Sequence, residues 1–182
     1  MREIALRKFI FGLAFIVSCL LCGCGYHLSS ESLTPSLTAG KTIGIPMWRN
    51  KSYRMNLEAV MTGSLIDEFA LRSGGKVVDE NAADLLLTGT IVSYTEAAVA
   101  YSAVDLVSVY RMTMTVEAVL TDKRSEKVLW KGKFDASQDY PALSNPNVPN
   151  RMALQQNNED AALLEISRKI AQKLYQQLSE NF

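Results

Sequence analysis

The residue best placed for chemistry in this sequence is a cysteine near the amino terminus. Cys24 follows Leu21 at position −3 and Gly23 at position −1 of a potential cleavage point. This pattern is typical of the cysteine that becomes acylated in bacterial lipoproteins. We therefore predict that Cys24 carries a covalent diacylglycerol and an N-acyl chain. Cys22 fits less well, because the residue before it is the bulky Leu21.

The residues before Cys24 have the layout of a cleaved lipoprotein signal peptide. A segment with three basic side chains, residues 2–8, precedes the apolar run Phe9–Leu21. That run is shorter than the roughly 20 apolar residues that a transmembrane helix needs. We expect residues 1–23 to be removed, and Gly25 at position +2 to favour transfer to the outer membrane. A signal anchor or an ordinary secreted protein is the alternative.

Few other residues are suited to catalysis. His27 is the only histidine, and no free thiol remains once Cys19 and Cys22 leave with the leader and Cys24 is acylated. Three residues from the lipid anchor, His27 is expected to be held near the headgroups, where it cannot readily pair with a distant nucleophile or complete a site with two or more histidine ligands. We predict a protein that is not an enzyme, with no catalytic residue, no metal and no cofactor besides the acyl chains.

The charge of the mature chain argues against a nucleic-acid partner. Removal of the leader leaves 16 basic and 18 acidic residues, which gives a slight negative balance. A nucleic-acid-binding protein shows a clear basic excess or patch instead. With no cysteine pair left for a disulfide, packing must stabilise the exported domain.

Hydrophobic periodicity indicates the elements that position the polar side chains. Residues 24–40 are rich in Ser, Thr and Gly and predict a lipidated tether, and residues 41–182 predict a single α+β domain. Alternation over 41–47 predicts a first strand. A helix is predicted from Tyr53 to Arg72 by an apolar stripe that comprises Leu57, Val60, Met61, Leu65 and Phe69.

The period then changes from helical spacing to strand alternation. Strands are predicted at 76–79, from Leu85 to Tyr94, and from Leu106 to Leu120. A charged turn at 122–126 leads into a further strand, in which Val128, Trp130, Gly132 and Phe134 share the core face. A proline-containing loop follows Tyr140. The last helix is predicted from Asn158 to Leu178, with Glu159 and Asp160 in its first turn.

These elements predict an α+β fold, a two-layer sandwich of two α-helices packed on one face of a mainly antiparallel four- to five-stranded β-sheet. The other face of the sheet is left uncovered. Such a face is either solvated or enclosed by a partner. Its predicted side chains are mostly polar and comprise Thr88, Thr90, Tyr94, Arg111, Thr113, Thr115 and Lys131.

The charged turn between the last two strands has two interpretations. Lys123, Arg124 and Lys127 are the basic side chains of this turn. They either belong to an ordinary soluble turn or contact phosphate groups.

Three segments resemble the LPS-assembly lipoprotein family LptE. They are Cys24–Leu28 at the acylation site, the strand Tyr110–Val116, and Met152–Glu159 before the last helix. The resemblance implies a lipid-anchored outer-membrane protein that plugs the β-barrel LptD, helps that barrel to assemble and assists delivery of lipopolysaccharide to the outer leaflet. The chain would then lie inside the barrel or face its periplasmic side, and the uncovered sheet face would contact the lumen.

The sequence departs from the family in its basic residues. Family members offer basic side chains near the tip of the sheet and before the last helix. Here the corresponding stretches, Ala100–Ser108 and Gln155–Asn158, contain no Lys or Arg. The remaining candidates for contact with lipopolysaccharide phosphates are Lys123, Arg124 and Lys127.

A second resemblance keeps an alternative function open. Ile43–Asn50 and Ala83–Thr90 are also similar to lipoproteins related to the secretion channel CsgG and to activators of peptidoglycan synthases. The alternative is therefore a periplasm-facing lipoprotein that acts by protein–protein contact. A pore-former would need paired strands with an apolar lipid face, and this pattern is not present in the sequence.

Overall fold

The structure, a computed structural model, describes residues 40–73 and 76–180. Within these ranges, each helix and strand is named here in chain order: β1 (Ile43–Gly44), β2 (Arg49–Asn50), α1 (Leu57–Arg72), β3 (Val77–Val78), β4 (Leu85–Tyr101), β5 (Val107–Asp122), β6 (Val128–Pro141) and α2 (Arg151–Glu180). Neither α1 nor α2, the helices of the described ranges, combines the length and the apolar character of a transmembrane segment.

The strands of the described ranges form one mixed sheet. Its order is β3-β1-β4-β5-β6, and β2 pairs with β4 beyond the end of β1. The long strands β4, β5 and β6 are antiparallel hairpin partners, whereas β1 and β2 run parallel to β4, and β3 runs parallel to β1. The parallel pairs arise because α1 returns the chain to its starting direction.

The α+β class is confirmed, but the predicted four- to five-stranded, mainly antiparallel sheet is wrong in detail. Six strands are present in the described ranges, and three of them are only two residues long. Of the predicted strand 41–47, only Ile43–Gly44 forms a strand, and β2 follows at Arg49–Asn50 after a connection that contains Pro46. Proline lacks the N–H group that a sheet ladder needs, so pairing with β4 stops there and resumes at Arg49.

Both helices lie on one face of the sheet, and the core lies between these layers. α2 packs on β5 and β6, while α1 packs on α2 and on the short strands. The predicted stripes account for much of the buried surface: Leu57, Met61, Leu65 and Phe69 from α1, and Leu163, Ile166, Ile170, Leu174 and Leu178 from α2.

The predicted start of each helix is wrong. α1 begins at Leu57 rather than Tyr53, because Asn56 has a left-handed backbone with φ of 68° that cannot lie inside a right-handed helix. α2 begins at Arg151 rather than Asn158, directly after Pro149 and Asn150. The first turn of α2 therefore has no acidic side chain, contrary to the prediction for Glu159 and Asp160.

Two bulges change which side chains face the core. The register between β4 and β5 shifts between Ile91 and Ser93, so that Tyr94 lies opposite Met114 and is buried. Its predicted place on the polar face is therefore wrong. The register between β5 and β6 shifts after Leu120, which places Val128 opposite Thr121 on the outer face, where it is 50% exposed. Its predicted place among the core residues is also wrong.

Small residues on the core face make room for two tryptophans. Gly89, Ala118 and Gly132 lie side by side across β4, β5 and β6. A Cβ atom on Gly89 would lie 2.6 Å from the Trp48 ring, and one on Gly132 would lie 2.5 Å from the Trp130 ring. Both glycines are therefore required by the close approach of an indole to the backbone.

Candidate functional site

The face of β4, β5 and β6 that points away from the helices, called the open face here, is made of polar cross-strand rows. It contains six of the seven residues that the sequence predicts on the uncovered face, and the exception is the buried Tyr94. From the end nearest residue 41 to the other end, the rows are Thr88–Val119–Lys131, Thr90–Glu117–Lys133, Ser93–Thr115–Asp135, Thr95–Thr113–Ser137 and Ala97–Arg111–Asp139.

Two of these rows are paired internally. Arg111 donates from Nε and Nη2 to the two carboxylate oxygens of Asp139, at 2.6 and 2.8 Å. This hydrogen-bonded pair raises the pKa of Arg111 and lowers the pKa of Asp139. Thr113 and Ser137 share a hydrogen bond of 2.9 Å between their hydroxyl oxygens. At this end of the open face, the charged groups already satisfy one another.

The other end of the open face has a groove with less internal pairing. The β1–β2 connection and β4 enclose a cavity of about 510 Å³, whose lining includes Met47, Arg49, Thr88 and Thr90. Arg49 is placed beside Thr90 by the parallel pairing of β2 with β4. The sequence analysis did not identify Arg49 as a site residue, because a two-residue strand gives no alternation.

The charged turn lies at the end of the sheet where residue 41 enters. Lys123 donates from Nζ to the backbone carbonyls of Glu80 and Asn81, both at 2.7 Å, so its ammonium group already supports the β3–β4 connection. Lys41 donates to Asp122 at 2.7 Å, and this hydrogen bond holds the pKa of Asp122 well below its usual range. Arg124 and Lys127 are exposed. Arg124 and Lys127 thus protrude from the turn, whereas Lys123 is bound to backbone carbonyls.

At the opposite end, the sheet and α2 expose an apolar surface, called the apolar tip here. Tyr101 and Val104 on the β4–β5 hairpin are 61% and 73% exposed. Other large side chains that are exposed at this end are Val99, Leu106, Met152 and Leu154. Ala100–Ser108 contains no Lys or Arg, so the hairpin part of this surface offers no cation to a phosphate group.

A cleft of about 380 Å³ lies between the apolar tip and α2. On its lining, Glu96 accepts hydrogen bonds from the hydroxyls of Tyr140 at 2.8 Å and Tyr94 at 3.1 Å. Burial is the main cause that raises the pKa of both tyrosines, and Glu96 adds to it. The sequence analysis missed this cluster, because the bulge that turns Tyr94 inward leaves no mark on the hydrophobic pattern.

The described ranges contain no group of three or more His, Cys, Asp or Glu side chains that is arranged to hold a metal ion. Cys24, the predicted acylation site, and His27 lie outside the described residues. Acylation of Cys24 therefore stays a prediction, as does the tether at residues 24–40.

Several solved structures are similar to this chain. A lipoprotein of Caulobacter crescentus CB15 is 20% identical, with a TM-score of 0.44 over 75% of this chain and 93% of that chain. The rare lipoprotein B of Shewanella oneidensis is 15% identical, with a TM-score of 0.49 over 74% and 94%. A hypothetical protein of Chlamydia trachomatis is 11% identical, with a TM-score of 0.52 over 77% and 96%, which indicates a shared fold. No curated protein sequence matches the chain.

A family model covers nearly all of the described residues. The model described as LptE, lipopolysaccharide-assembly, matches residues 40–178, which include the complete sheet, α1 and almost all of α2. The family that three short segments predicted is thereby confirmed. The chain belongs to the LptE family of lipopolysaccharide-assembly proteins.

Proposed function

We propose that this chain is an outer-membrane lipoprotein, acylated at Cys24, that plugs an LptD-type β-barrel, helps the barrel to assemble and assists lipopolysaccharide delivery to the outer leaflet. The domain lies inside the barrel or at its periplasmic mouth, with its open face against the barrel wall. It acts by binding and positioning, not by catalysis. Membership of a lipopolysaccharide-assembly family supports this role.

The open face is the observation that carries the proposal. It is formed by strands of 17, 16 and 14 residues, which at roughly 3.3 Å per residue extend about 45–55 Å. The lumen of a large outer-membrane barrel is polar, and the apolar band of such a barrel is about 25 Å tall. A long polar sheet face is therefore suited to contact a lumen wall over its whole height.

The types of side chain on the open face also fit a wet lumen. Thr88, Thr90, Thr113 and Thr115 offer hydroxyl groups that both donate and accept hydrogen bonds. Contacts of this kind, partly through water, give stable interfaces when the enclosed area is large, although each contributes only about 0.5–1.5 kcal/mol. The apolar side chains of this face, such as Val119 and Val128, are few, so an apolar ligand would find little apolar surface there.

The segment between the proposed acylation site and the domain is long enough for the chain to be both anchored in the membrane and placed in a barrel. Gly40 is sixteen residue steps after Cys24, and at about 3.3–3.6 Å per step this segment extends to roughly 55 Å at most. That length allows the acyl chains to lie in the membrane while the domain lies within a barrel. Arg124 and Lys127 are then the cations of the charged turn that contact lipopolysaccharide phosphates, with Lys123 supporting the turn.

Site-specific photo-crosslinking in cells tests the plug. A photoreactive residue at Thr88, Thr90 or Thr115 is expected to capture an LptD-type barrel. The same residue at buried Val116 or Ile170 serves as the matched control and is expected to capture no partner. Absence of any adduct from the open face would favour a solvated face, and capture of a peptidoglycan synthase would favour the activator function. Either result would contradict the plug.

A further inference from the structure

One half of the open face carries a surplus of positive charge. Arg49, Thr90, Glu117 and Lys133 form a single row across β2, β4, β5 and β6, and Lys131 lies two residues before Lys133 on the same face. We call Arg49, Lys131 and Lys133 the basic strip. Glu117 is the only acidic residue within its rows.

The cations of the basic strip are poorly compensated inside the chain. Within residues 40–73 and 76–180, neither Arg49 nor Lys131 has a carboxylate at ion-pair distance. Lys133 lies 3.9 Å from Glu117, with 64% and 57% of the two side chains exposed. A pair this long and this exposed is screened by water and salt. The basic strip thus has a formal charge of +2 after Glu117 is counted.

The other half of the open face carries no surplus of positive charge. Arg111 is held by Asp139 through two short hydrogen bonds, and Asp135 is the remaining charged side chain of that half. The surplus of positive charge is therefore confined to the end of the sheet nearest residue 41.

We propose that the basic strip binds a patch of carboxylate side chains on the wall of the enclosing barrel, and that this contact fixes the depth and the rotation of the domain within it. This inference rests on the proposed plug. A wall strand that packs on the open face presents its inward side chains at strand spacing. Carboxylates at that spacing match a row of separated cations, and long Lys and Arg side chains extend far enough to meet such carboxylates within the roughly 10 Å between stacked sheets.

The spacing of the cations argues against a phosphate group as the occupant. Arg49 and Lys133 are three strand spacings apart, about 14 Å, so they do not converge on one anion. Glu117 lies between them and would repel a phosphate bound in the groove. A phosphate site instead gathers several donors around one group.

Charge reversal in the full-length lipoprotein tests the basic strip. The triple variant Arg49→Glu, Lys131→Glu and Lys133→Glu is co-expressed with the barrel, and recovered barrel is measured after gentle detergent extraction at low and high salt. We expect about a tenfold loss of recovered barrel at low salt and a much flatter salt dependence. The double variant Arg168→Glu, Lys173→Glu is the control, because it reverses two exposed cations of α2 that lie away from the open face. Its recovery of the barrel should match the wild type.

A milder variant guards against loss of the fold. If the triple Glu variant fails to melt cooperatively, the triple Gln variant replaces it, and a several-fold loss of recovered barrel supports the contact. Recovery equal to wild type at every salt concentration, by a folded triple variant, overturns it. An unchanged recovery of the barrel together with a loss of binding to lipopolysaccharide also overturns the contact. That result would assign the cations to the phosphate groups of lipopolysaccharide. If the wild type recovers no barrel at all, the plug itself fails.

Discussion

Trp48 lies with its indole ring against the backbone of Gly89, and the structure leaves no space between them for a side chain. A Cβ on Gly89 would be 2.6 Å from three ring atoms of Trp48. The backbone N–H of Trp48 donates to the hydroxyl of Thr62 at 3.0 Å, so the residue is also tied to α1. Trp48 thus joins α1, the β1–β2 connection and the centre of β4.

We expect Gly89→Ala to destabilise the domain by about 1–3 kcal/mol, because the added methyl group forces the indole out of its packed position. Chemical unfolding of the unacylated protein measures this loss. Gly63→Ala is the matched control, since nothing lies within 4 Å of a Cβ at Gly63 in α1. It should instead stabilise the domain by roughly 0.5–1 kcal/mol. Equal effects of the two substitutions would contradict the packing of Trp48 on Gly89.

Adjacent residues of β5 should respond very differently to a charge. Met114 is fully buried under the helices, so Met114→Asp places an unpaired carboxylate in the core. The cost of several kcal/mol is a large part of a typical stability of about 5–15 kcal/mol, and we expect the variant to be unfolded. Thr115→Asp lies on the open face and should stay folded. Circular dichroism and thermal melting distinguish them, and similar melting losses would show that the faces are misassigned.

The domain should lose stability in acid. The backbone N–H and the hydroxyl of Thr42 donate hydrogen bonds that lower the pKa of Asp84. A hydrogen bond from Lys41 lowers the pKa of Asp122. A carboxyl whose pKa is lowered by folding stabilises the native state above its unfolded pKa of about 3.9. That contribution is lost as the pH falls below this value toward the folded pKa. Melting temperatures measured between pH 6 and 3 should therefore fall most steeply below about pH 4.

Asp122→Asn provides the control for this pH dependence. The amide cannot ionise, so the variant should be less stable than the wild type at neutral pH and should lose less stability on acidification. Parallel melting curves of the two proteins from neutral to acid pH would show that Asp122 does not contribute.

Cys24→Ser should abolish acylation, because the hydroxyl of serine does not replace the thiol that receives the diacylglycerol. Metabolic labelling with a radioactive fatty acid and membrane fractionation measure the effect. We expect unlabelled precursor or soluble periplasmic protein. Cys22→Ser should be processed and labelled as the wild type. Acyl label on the Cys24→Ser protein would disprove the assigned cleavage site.

The sequence predicted those parts of the fold that repeat over several turns or residues. The stripe of α1, the stripe of α2 and the alternation of β5 are each long enough to reveal a buried face. The sequence did not predict β2, because two residues show no period, whereas β3 lies within the strand predicted at 76–79. Nor did it predict that Tyr94 is buried, since a bulge changes the face without changing the residue pattern.

The same distinction applies to the candidate site. Thr88, Thr113 and Lys131 were predicted on the uncovered face, because they alternate with apolar residues along strands of ordinary length. Arg49 was missed, since its place beside Thr90 depends on parallel pairing between segments distant in sequence. Contacts of this kind are tertiary, and a local pattern does not contain them.

The apolar tip affects the solubility of the chain before it binds a partner. Tyr101 and Val104 protrude from a hairpin in which Asp105 is the only charged side chain between residues 100 and 108. Exposed apolar surface of this kind is a liability for aggregation and a mark recognised by chaperones. We therefore expect surplus copies of the chain to depend on periplasmic holdases and to be degraded, so that the supply of a partner sets the steady-state amount of the protein.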